Sequence, residues 1–308
     1  MTQVGVSQDK PKIDVNSAAG SEGGVWSIKR VLAWAADDLK RRGHESARLE
    51  VELLLGRVLK LDRIGLIMQS ERPLSALELG QFRELFKRRR AGEPVAYLLG
   101  EREFYGIMLR VDARVLVPRP DSERLVEVAL ERTRTRSMLG RALDLCTGSG
   151  CVAIAFARQR PTWQVTASDI SADALAVATD NAHRTGAIRN LRLVHASLFE
   201  AVAGQRFELI TANPPYIAAG EIEELPVDVR DFEPRLALDG GADGLDLVRQ
   251  IATLAPQYLE PEGLLAQEIG ADQGPRAVAI LKERGYRDVQ LARDLGGRDR
   301  VVSGYGPV

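Results

Sequence analysis

Apolar positions recur at helical spacing through the first third of the chain. Ser27 is a candidate cap for a helix whose Val31, Leu32, Ala35 and Leu39 share one face. Ser46 opens a second, with Val51, Leu54, Leu55, Val58 and Leu59 along its stripe. Ser75-Ala76-Leu77-Glu78 has capping-box spacing, in which hydroxyl and carboxylate each satisfy a free helix-end amide. The helix starting there should turn Leu79, Phe82, Leu85 and Phe86 inward and end in Lys87-Arg88-Arg89-Arg90. Such a basic run suits either a solvated helix end favoured by the dipole or a docking surface. After Gly92-Glu93-Pro94 the period changes to two. Ile107, Leu109 and Val111, then Val115 and Val117, flank Asp112-Ala113-Arg114, which predicts a β-hairpin about that turn. Asp121 is then placed to cap a helix burying Leu125, Val126, Ala129 and Leu130.

From Arg141 onward strands and helices alternate. The pattern predicts strands over 142–145, 164–168, 191–194, 207–211 and 263–268, with helices over 151–160, 172–185, 245–258 and 273–284. That alternation is the signature of a mostly parallel sheet covered on both faces. Segments 286–291 and 300–304 are joined by a short Gly-rich turn, so the last two strands should pair antiparallel. Four regions follow: a polar, mobile tail over 1–24, a helical domain over 25–91, a hairpin-bearing linker over 92–120, and an α/β domain over 121–308.

Charge and cysteine usage narrow the class. Forty-two Lys and Arg against forty-three Asp and Glu leave a net charge of −1, without the basic surplus of a dedicated long-duplex binder. Two cysteines make no disulfide framework, and His44, His183 and His195 form no evident zinc set, so no metal is expected. No apolar run approaches the roughly 18 residues of a membrane span, and the first residues lack a signal pattern. A cytoplasmic protein without a membrane partner is the expectation.

Two segments carry chemistry. Asp144-Leu145-Cys146-Thr147-Gly148-Ser149-Gly150 follows a short apolar strand and opens an apolar helix. Glycines at such a turn admit close backbone approach, and the helix start offers free amides to an anionic group. Asp169 ends the next strand, 19 residues past Gly150, where a carboxylate can grip both hydroxyls of a ribose. Its competing role is to cap the helix opened by Ser171. An adenosine-bearing ligand fits, either a dinucleotide or S-adenosylmethionine, and the antiparallel ending favours the second. Asn213-Pro214-Pro215-Tyr216 follows the fourth strand at the carboxyl edge of the sheet. Two prolines stiffen the loop and remove donors, so it presents carbonyls, one side-chain amide and an aromatic face. Those features suit a planar NH2 group.

The sheet and the Asn213-Pro214-Pro215-Tyr216 tetrapeptide resemble the Rossmann-like S-adenosylmethionine-dependent methyltransferases that methylate amino groups. Further segments resemble one family among them, the peptide chain release factor glutamine methyltransferases (the PrmC/HemK family). They are Gly92-Glu93-Pro94-Val95-Ala96-Tyr97, Glu103-Phe104-Tyr105-Gly106 and Val115-Leu116-Val117-Pro118-Arg119-Pro120-Asp121-Ser122-Glu123, then Asp243-Gly244-Leu245-Asp246 and Gly297-Arg298-Asp299-Arg300-Val301-Val302. The likeness runs from roughly residue 80 to the end.

This resemblance implies methyl transfer to the glutamine amide of the Gly-Gly-Gln motif in bacterial release factors. Cofactor contacts would fall on Cys146, Thr147, Gly148, Ser149, Gly150, Asp169, Leu198 and Asn213. The substrate amide would lie against Asn213, Pro214, Pro215 and Tyr216, with Asn213, Pro214 and Tyr216 as the catalytic set. Acceptors on Asn213 and Pro214 would hold the nitrogen about 3–3.5 Å from the methyl and stabilise charge arriving on it. The helical domain would grip the release factor, with Lys87–Arg90 as part of that surface. Two positions depart from the family: Cys146 stands where a first glycine is usual, and Ser197 where an acid often precedes the bulky residue. Cys151 reads as a small helix residue, not a nucleophile. The rival readings are a ribosomal-protein glutamine methyltransferase, an adenine or cytosine amino-methyltransferase acting on a flipped base, and a dinucleotide dehydrogenase or binding module.

Overall fold

A computed structural model of the chain describes residues 25–307; the 1–24 tail expected from the sequence lies outside the described residues. Two compact units divide after Lys87. The first holds α1 (Ile28–Arg41), α2 (Ala47–Leu59), α3 (Arg63–Met68) and most of α4 (Ala76–Arg90). Val31, Leu32, Ala35 and Leu39 are buried as their spacing requires, and Phe82 stacks on Phe86 at 5.5 Å. The capping box forms: the Ser75 amide donates to Glu78 Oε2 over 2.8 Å, and the Glu78 amide to Ser75 Oγ over 3.3 Å. Ser27 and Ser46 occupy cap positions, but neither makes a side-chain cap bond. The sequence pattern missed α3, whose six residues are too few for a readable period; Asp62 caps it through the Gly65 amide at 2.7 Å.

At the start of the second unit, two arginines of the basic run are tied to the turn that follows. Arg88 forks onto Glu93, with 2.7 Å from Nε, while buried Arg89 donates to the Gly92 and Glu93 carbonyls over 3.1 and 3.0 Å. A short helix α5 (Val95–Leu99) leads into β1 (Glu101–Phe104) and β2 (Ile107–Arg110).

The expected hairpin about Asp112-Ala113-Arg114 does not form; β2 pairs instead with β1, around a Tyr105-Gly106 turn. Both turn residues have positive φ (52° and 71°), the two-residue geometry that matches strand twist. Val115 and Val117 are buried without forming a strand, because Pro118 and Pro120 remove ladder donors. Asp121 does not cap α6 (Glu123–Arg132); its carboxylate pairs instead with Arg298 and Arg300, each at 3.2 Å.

The remaining strands are β3 (Arg141–Leu145), β4 (Gln164–Asp169), β5 (Leu191–His195), β6 (Phe207–Ala212), β7 (Leu259–Glu268), β8 (Arg287–Arg293) and β9 (Asp299–Tyr305). They form one sheet in the order β5-β4-β3-β6-β7-β9-β8, parallel except for β9, which runs antiparallel to both neighbours. Helices α7 (Cys151–Gln159), α8 (Ala172–Thr185), the four-residue α9 (Val227–Arg230), α10 (Asp246–Leu254) and α11 (Gly274–Glu283) complete the unit. Successive strand residues feed two cores. Ala142, Leu209, Leu264 and Val301 join α6 and α7 on one face, while Leu143, Ile210, Leu265 and Val302 join α10 and α11 on the other. Period two is thus apolar on both sides, as a doubly covered sheet demands. Each fully buried Leu or Ile stabilises by about 1.5–3 kcal/mol.

Candidate active site

The strand order turns back at β3, which has β4 on one side and β6 on the other. Ligands of open α/β sheets bind in the crevice at such a switch, beyond the carboxyl ends of the strands. A cavity of about 280 Å³ opens there. Of the expected cofactor residues, Cys146, Thr147, Gly148, Ser149, Asp169 and Leu198 line it, and Gly150 does not. Asn213 and Pro215 border the same cavity; Pro214 and Tyr216 are outside its lining.

The loop after β3 owes its shape to three left-handed residues, Cys146 (φ 56°), Gly148 (φ 56°) and Gly150 (φ 81°). A Cβ on Gly148 would meet nothing within 4 Å, consistent with backbone facing open space. On Gly150 it would come within 3.0 Å of Ile154 and 3.2 Å of Ala178, so that glycine serves helix packing as well as the turn. Cys146 adopts the same backbone with a side chain, at a cost of about 1–2 kcal/mol. Burial pushes both thiols up, Cys151 to about 12, so each stays protonated at neutral pH.

Asp169 does not cap α8, as its competing reading had it, but ties the loop after β3 to the segment leading into that helix. Oδ2 accepts from the Gly148 amide at 2.8 Å and Oδ1 from the Ser171 amide at 2.9 Å. Ser171 itself caps α8 through the Ala174 amide at 3.1 Å. Each carboxylate oxygen keeps a second lone pair, enough for two ribose hydroxyls. The donor set therefore fits an adenosine group: a carboxylate at the strand end, amides of a tight turn, and the apolar Leu198, whose own φ is 44°. Ser197 also lines the cavity, its amide donating to Glu200 at 3.3 Å.

Asp144 stood in its segment without an assigned role, and the roles of Asn181 and Glu268 escaped the sequence reading. Asp144 is 2% exposed and accepts from the Thr147 and Thr211 hydroxyls, both at 2.7 Å; burial lifts its carboxyl to about 6. Asn181 breaks the apolar stripe of α8. Its amide donates to the Arg110 and Ser149 carbonyls, both at 3.0 Å, and its oxygen accepts from the Arg110 amide at 2.7 Å. It ties β2 to the loop after β3, and a lone Asn among alanines was the available signal. Glu268, at the end of β7, is 1% exposed, and burial lifts it to about 7.

Three of the segments that resembled the family meet around the Asn213 loop. Asn213 Nδ2 donates to Ser122 Oγ at 3.3 Å. Ser122 sits in the turn whose Asp121 is held by Arg298 and Arg300 from the β8–β9 hairpin. Arg119, one residue before that turn begins, donates to buried Glu233 over 2.5 Å. On the other side, a Cβ on Gly244 would stand 2.2 Å from the Tyr216 carbonyl oxygen, so only glycine fits. Gln273 Nε2 donates to that same oxygen at 2.8 Å. Asp243 clasps Arg249, which holds its carboxyl down at about 2. Among the described residues, no group of His, Cys, Asp and Glu could hold a metal, and no helix is long and apolar enough to cross a membrane.

Known proteins place this geometry in context. Residues 30–100 match the PrmC N-terminal domain and residues 122–227 the Methyltransferase small domain. A release factor glutamine methyltransferase from Geobacter sulfurreducens is 44% identical over 280 residues, covering 91% of this chain and 97% of that protein. Another of that name from Salmonella typhimurium is 42% identical, covering 85% and 94%. The solved hMettl16 catalytic domain, in complex with MAT2A 3′UTR hairpin 6, is 15% identical with a TM-score of 0.54. It covers 68% of this chain and 80% of that one, and shares the fold alone.

Proposed function

Because the chain belongs to the release factor glutamine methyltransferase family, we propose that it methylates the side-chain amide nitrogen of the glutamine in the Gly-Gly-Gln motif of bacterial release factors. The observation that supports this most is that one cavity is bordered both by the Asp169–Gly148 cradle and by Asn213 and Pro215.

S-adenosylmethionine, when bound, supplies an electrophilic methyl group. Asp169 would take the ribose hydroxyls, and the Cys146–Gly150 turn would face the methionine end. An amide nitrogen is a weak nucleophile, so its placement matters more than a base. Asn213 Oδ1 and the Pro214 carbonyl would accept its two N–H bonds, and their negative ends would stabilise positive charge developing on nitrogen. Tyr216, with its carbonyl pinned by Gln273, would stiffen the loop and exclude water. Residues 121–308 would form the catalytic domain, with 92–120 as its linker. Helices over 25–91 would dock the release factor, and exposed Ile64, Ile67 and Met68 on α3 offer apolar surface for it. Enzyme and substrate would meet in the cytoplasm.

The deciding experiment is transfer of labelled methyl from S-adenosylmethionine to an unmodified release factor, beside its Gln→Ala motif variant, a ribosomal protein fraction and a DNA duplex. Label on the wild-type factor alone supports the reading. Label on the ribosomal fraction or on DNA alone replaces the substrate and keeps the fold, and label nowhere rejects the activity.

A further inference from the structure

We propose that Glu233 is a positioning residue which, through Arg119, closes a ring of bonds at the acceptor side of the cavity and so holds the Asn213 loop in register. The inference rests on the amide-methylating reading above and adds residues to it.

The ring can be followed bond by bond. Asn213 Nδ2 donates to Ser122 Oγ at 3.3 Å, and the Ser122 amide donates to the Arg119 carbonyl at 3.1 Å. Arg119 Nη2 donates to Glu233 Oε1 at 2.5 Å, and the Val117 amide reaches Oε2 at 3.4 Å. Past Glu233 the chain makes one tight turn, with the Ala237 amide on the Pro234 carbonyl at 2.8 Å and the Leu238 amide on the Arg235 carbonyl at 3.0 Å. The Leu238 carbonyl then accepts from the Ile217 amide at 3.0 Å, and the Ile217 carbonyl from the Gly240 amide at 2.8 Å. Ile217 directly follows Tyr216, so the stiff Pro214-Pro215-Tyr216 stretch returns the path to Asn213. Gly240 makes that return close: a Cβ there would stand 2.7 Å from the Pro215 carbonyl oxygen and 2.8 Å from Tyr216 Cα. Arg119, Ser122, Asn213, Pro215, Pro234 and Ala237 all border the cavity, whereas Glu233 does not.

The Arg119–Glu233 bond is the charged link of this ring. The Asn213–Ser122 bond, at 3.3 Å, is too long to hold the loop alone. Glu233 is 5% exposed, and taking a carboxylate out of water costs about what its pairing returns. Apolar side chains would attach the connection between β6 and α10 as firmly without fixing its direction; a charged bond fixes direction and distance together. Bulk attachment is supplied nearby. Phe232 packs on Val111, Val115 and Val117, and Val227 and Phe232 crowd Gly92, where a Cβ would meet them at 2.6 and 3.2 Å. The connection therefore stays attached when the pair is removed, and what is lost is the alignment of residues 234–240 with the Asn213 loop.

The test uses the full-length protein and two readouts. In NMR hydrogen exchange, the Ile217 and Gly240 amides should exchange about tenfold faster in Glu233→Gln and in Arg119→Gln, the effect of losing one bond to a charged group. The Gly148 amide, held by Asp169, should keep its wild-type rate. In methyl-transfer assays each variant should lower kcat/KM for the acceptor by about 10²-fold, the cost of a misplaced reacting group, while calorimetric affinity for S-adenosylmethionine holds within about twofold. The double variant should do no more harm than either single one, because both open the same ring. Wild-type exchange at Ile217 and Gly240 in both variants overturns the proposal, as do losses that add in the double variant. Faster exchange with wild-type kcat/KM overturns it too, since the pair would then be merely structural. A loss of kcat/KM confined to Arg119→Gln also overturns it and makes Arg119 a direct acceptor contact. Should Glu233→Gln fail to fold, Arg119→Gln decides by its exchange rates. If the wild-type enzyme labels no release factor, the substrate reading falls while exchange at Ile217 and Gly240 still decides the ring.

Discussion

The two ends of the cavity are built on opposite principles. At the cofactor end, Asp144 and Asp169 each accept with both carboxylate oxygens from groups of their own chain. Around the transfer end, though outside the cavity lining, Glu268 Oε2 and both side-chain amide atoms of Gln267 at the end of β7, and Arg300 Nε on β9, are buried without hydrogen-bond partners. A satisfied cradle holds its geometry at little cost, whereas unpaired buried groups cost stability and persist where they serve chemistry. The difference predicts that substitutions at the first end act on binding, and at the second on turnover and stability.

The largest effect should come from the transfer end. Asn213→Ala removes an acceptor and should lower kcat by about 10²–10³-fold, by analogy with loss of an oxyanion-hole donor. Steady-state kinetics check this, and near-wild-type kcat would erase the distinction between the ends. Next, Asp169→Asn keeps the size of the side chain and removes its charge. Cofactor affinity should fall about 10- to 100-fold, the value of about 1.5–3 kcal/mol for a bond to a charged group, with kcat changed far less. Calorimetric titration with S-adenosylmethionine measures it.

Stability separates the ends by sign. The Glu268 carboxyl is raised from 4.5 to about 7 in the folded protein, so the folded state binds its proton more tightly than the unfolded state. Its ionisation costs nothing below pH 4.5. Stability is lost as pH rises from 4.5 to 7, reaching an upper bound of roughly 3 kcal/mol above that. Glu268→Gln lacks the ionisation, so its stability relative to wild type should climb across this window. Asp144 titrates in both proteins, cancels in the difference, and leaves Glu268 isolated. Denaturant unfolding at pH 4.5 and pH 8 gives the comparison. A flat difference would show that the carboxylate is well compensated after all.

Sequence pattern showed the sheet clearly because its physics is local. Alternating residues at Ala142-Leu143, Leu264-Leu265 and Val301-Val302 feed opposite cores, and that period is visible in one dimension. The site was half legible. Gly148, Asp169 and Asn213 stand at strand ends where turn chemistry announces itself. Other features depend on residues far apart in the chain. Asp121 looked like a helix cap until Arg298, 177 residues away, took its carboxylate. The hairpin turn was misplaced because Tyr105 is an unusual residue for positive φ, while Asp112-Ala113-Arg114 has the more familiar turn composition. Nothing local distinguishes Glu268 from a surface glutamate; only the packing of β7 between β6 and β9 buries it.

The smallest effect concerns Cys146, where the cofactor loop departs from the usual glycine. Cys146→Gly should relieve about 1–2 kcal/mol of left-handed strain. Against this, glycine adds about 0.5–1 kcal/mol of unfolded-chain entropy to be lost on folding. The partly buried side chain also packs against the core formed by Leu143, Leu145 and Phe199, and that contact goes with it. The terms oppose one another, so unfolding free energy should change by less than about 1 kcal/mol. Cofactor affinity should hold within about twofold, because the Gly148 amide and Asp169 stay where they are. Denaturant melts and the same calorimetric titration measure both quantities. A large loss of affinity would mean that the Cys146 side chain itself shapes the cavity wall, and the cofactor end would then depend on a strained residue much as the transfer end depends on a buried charge.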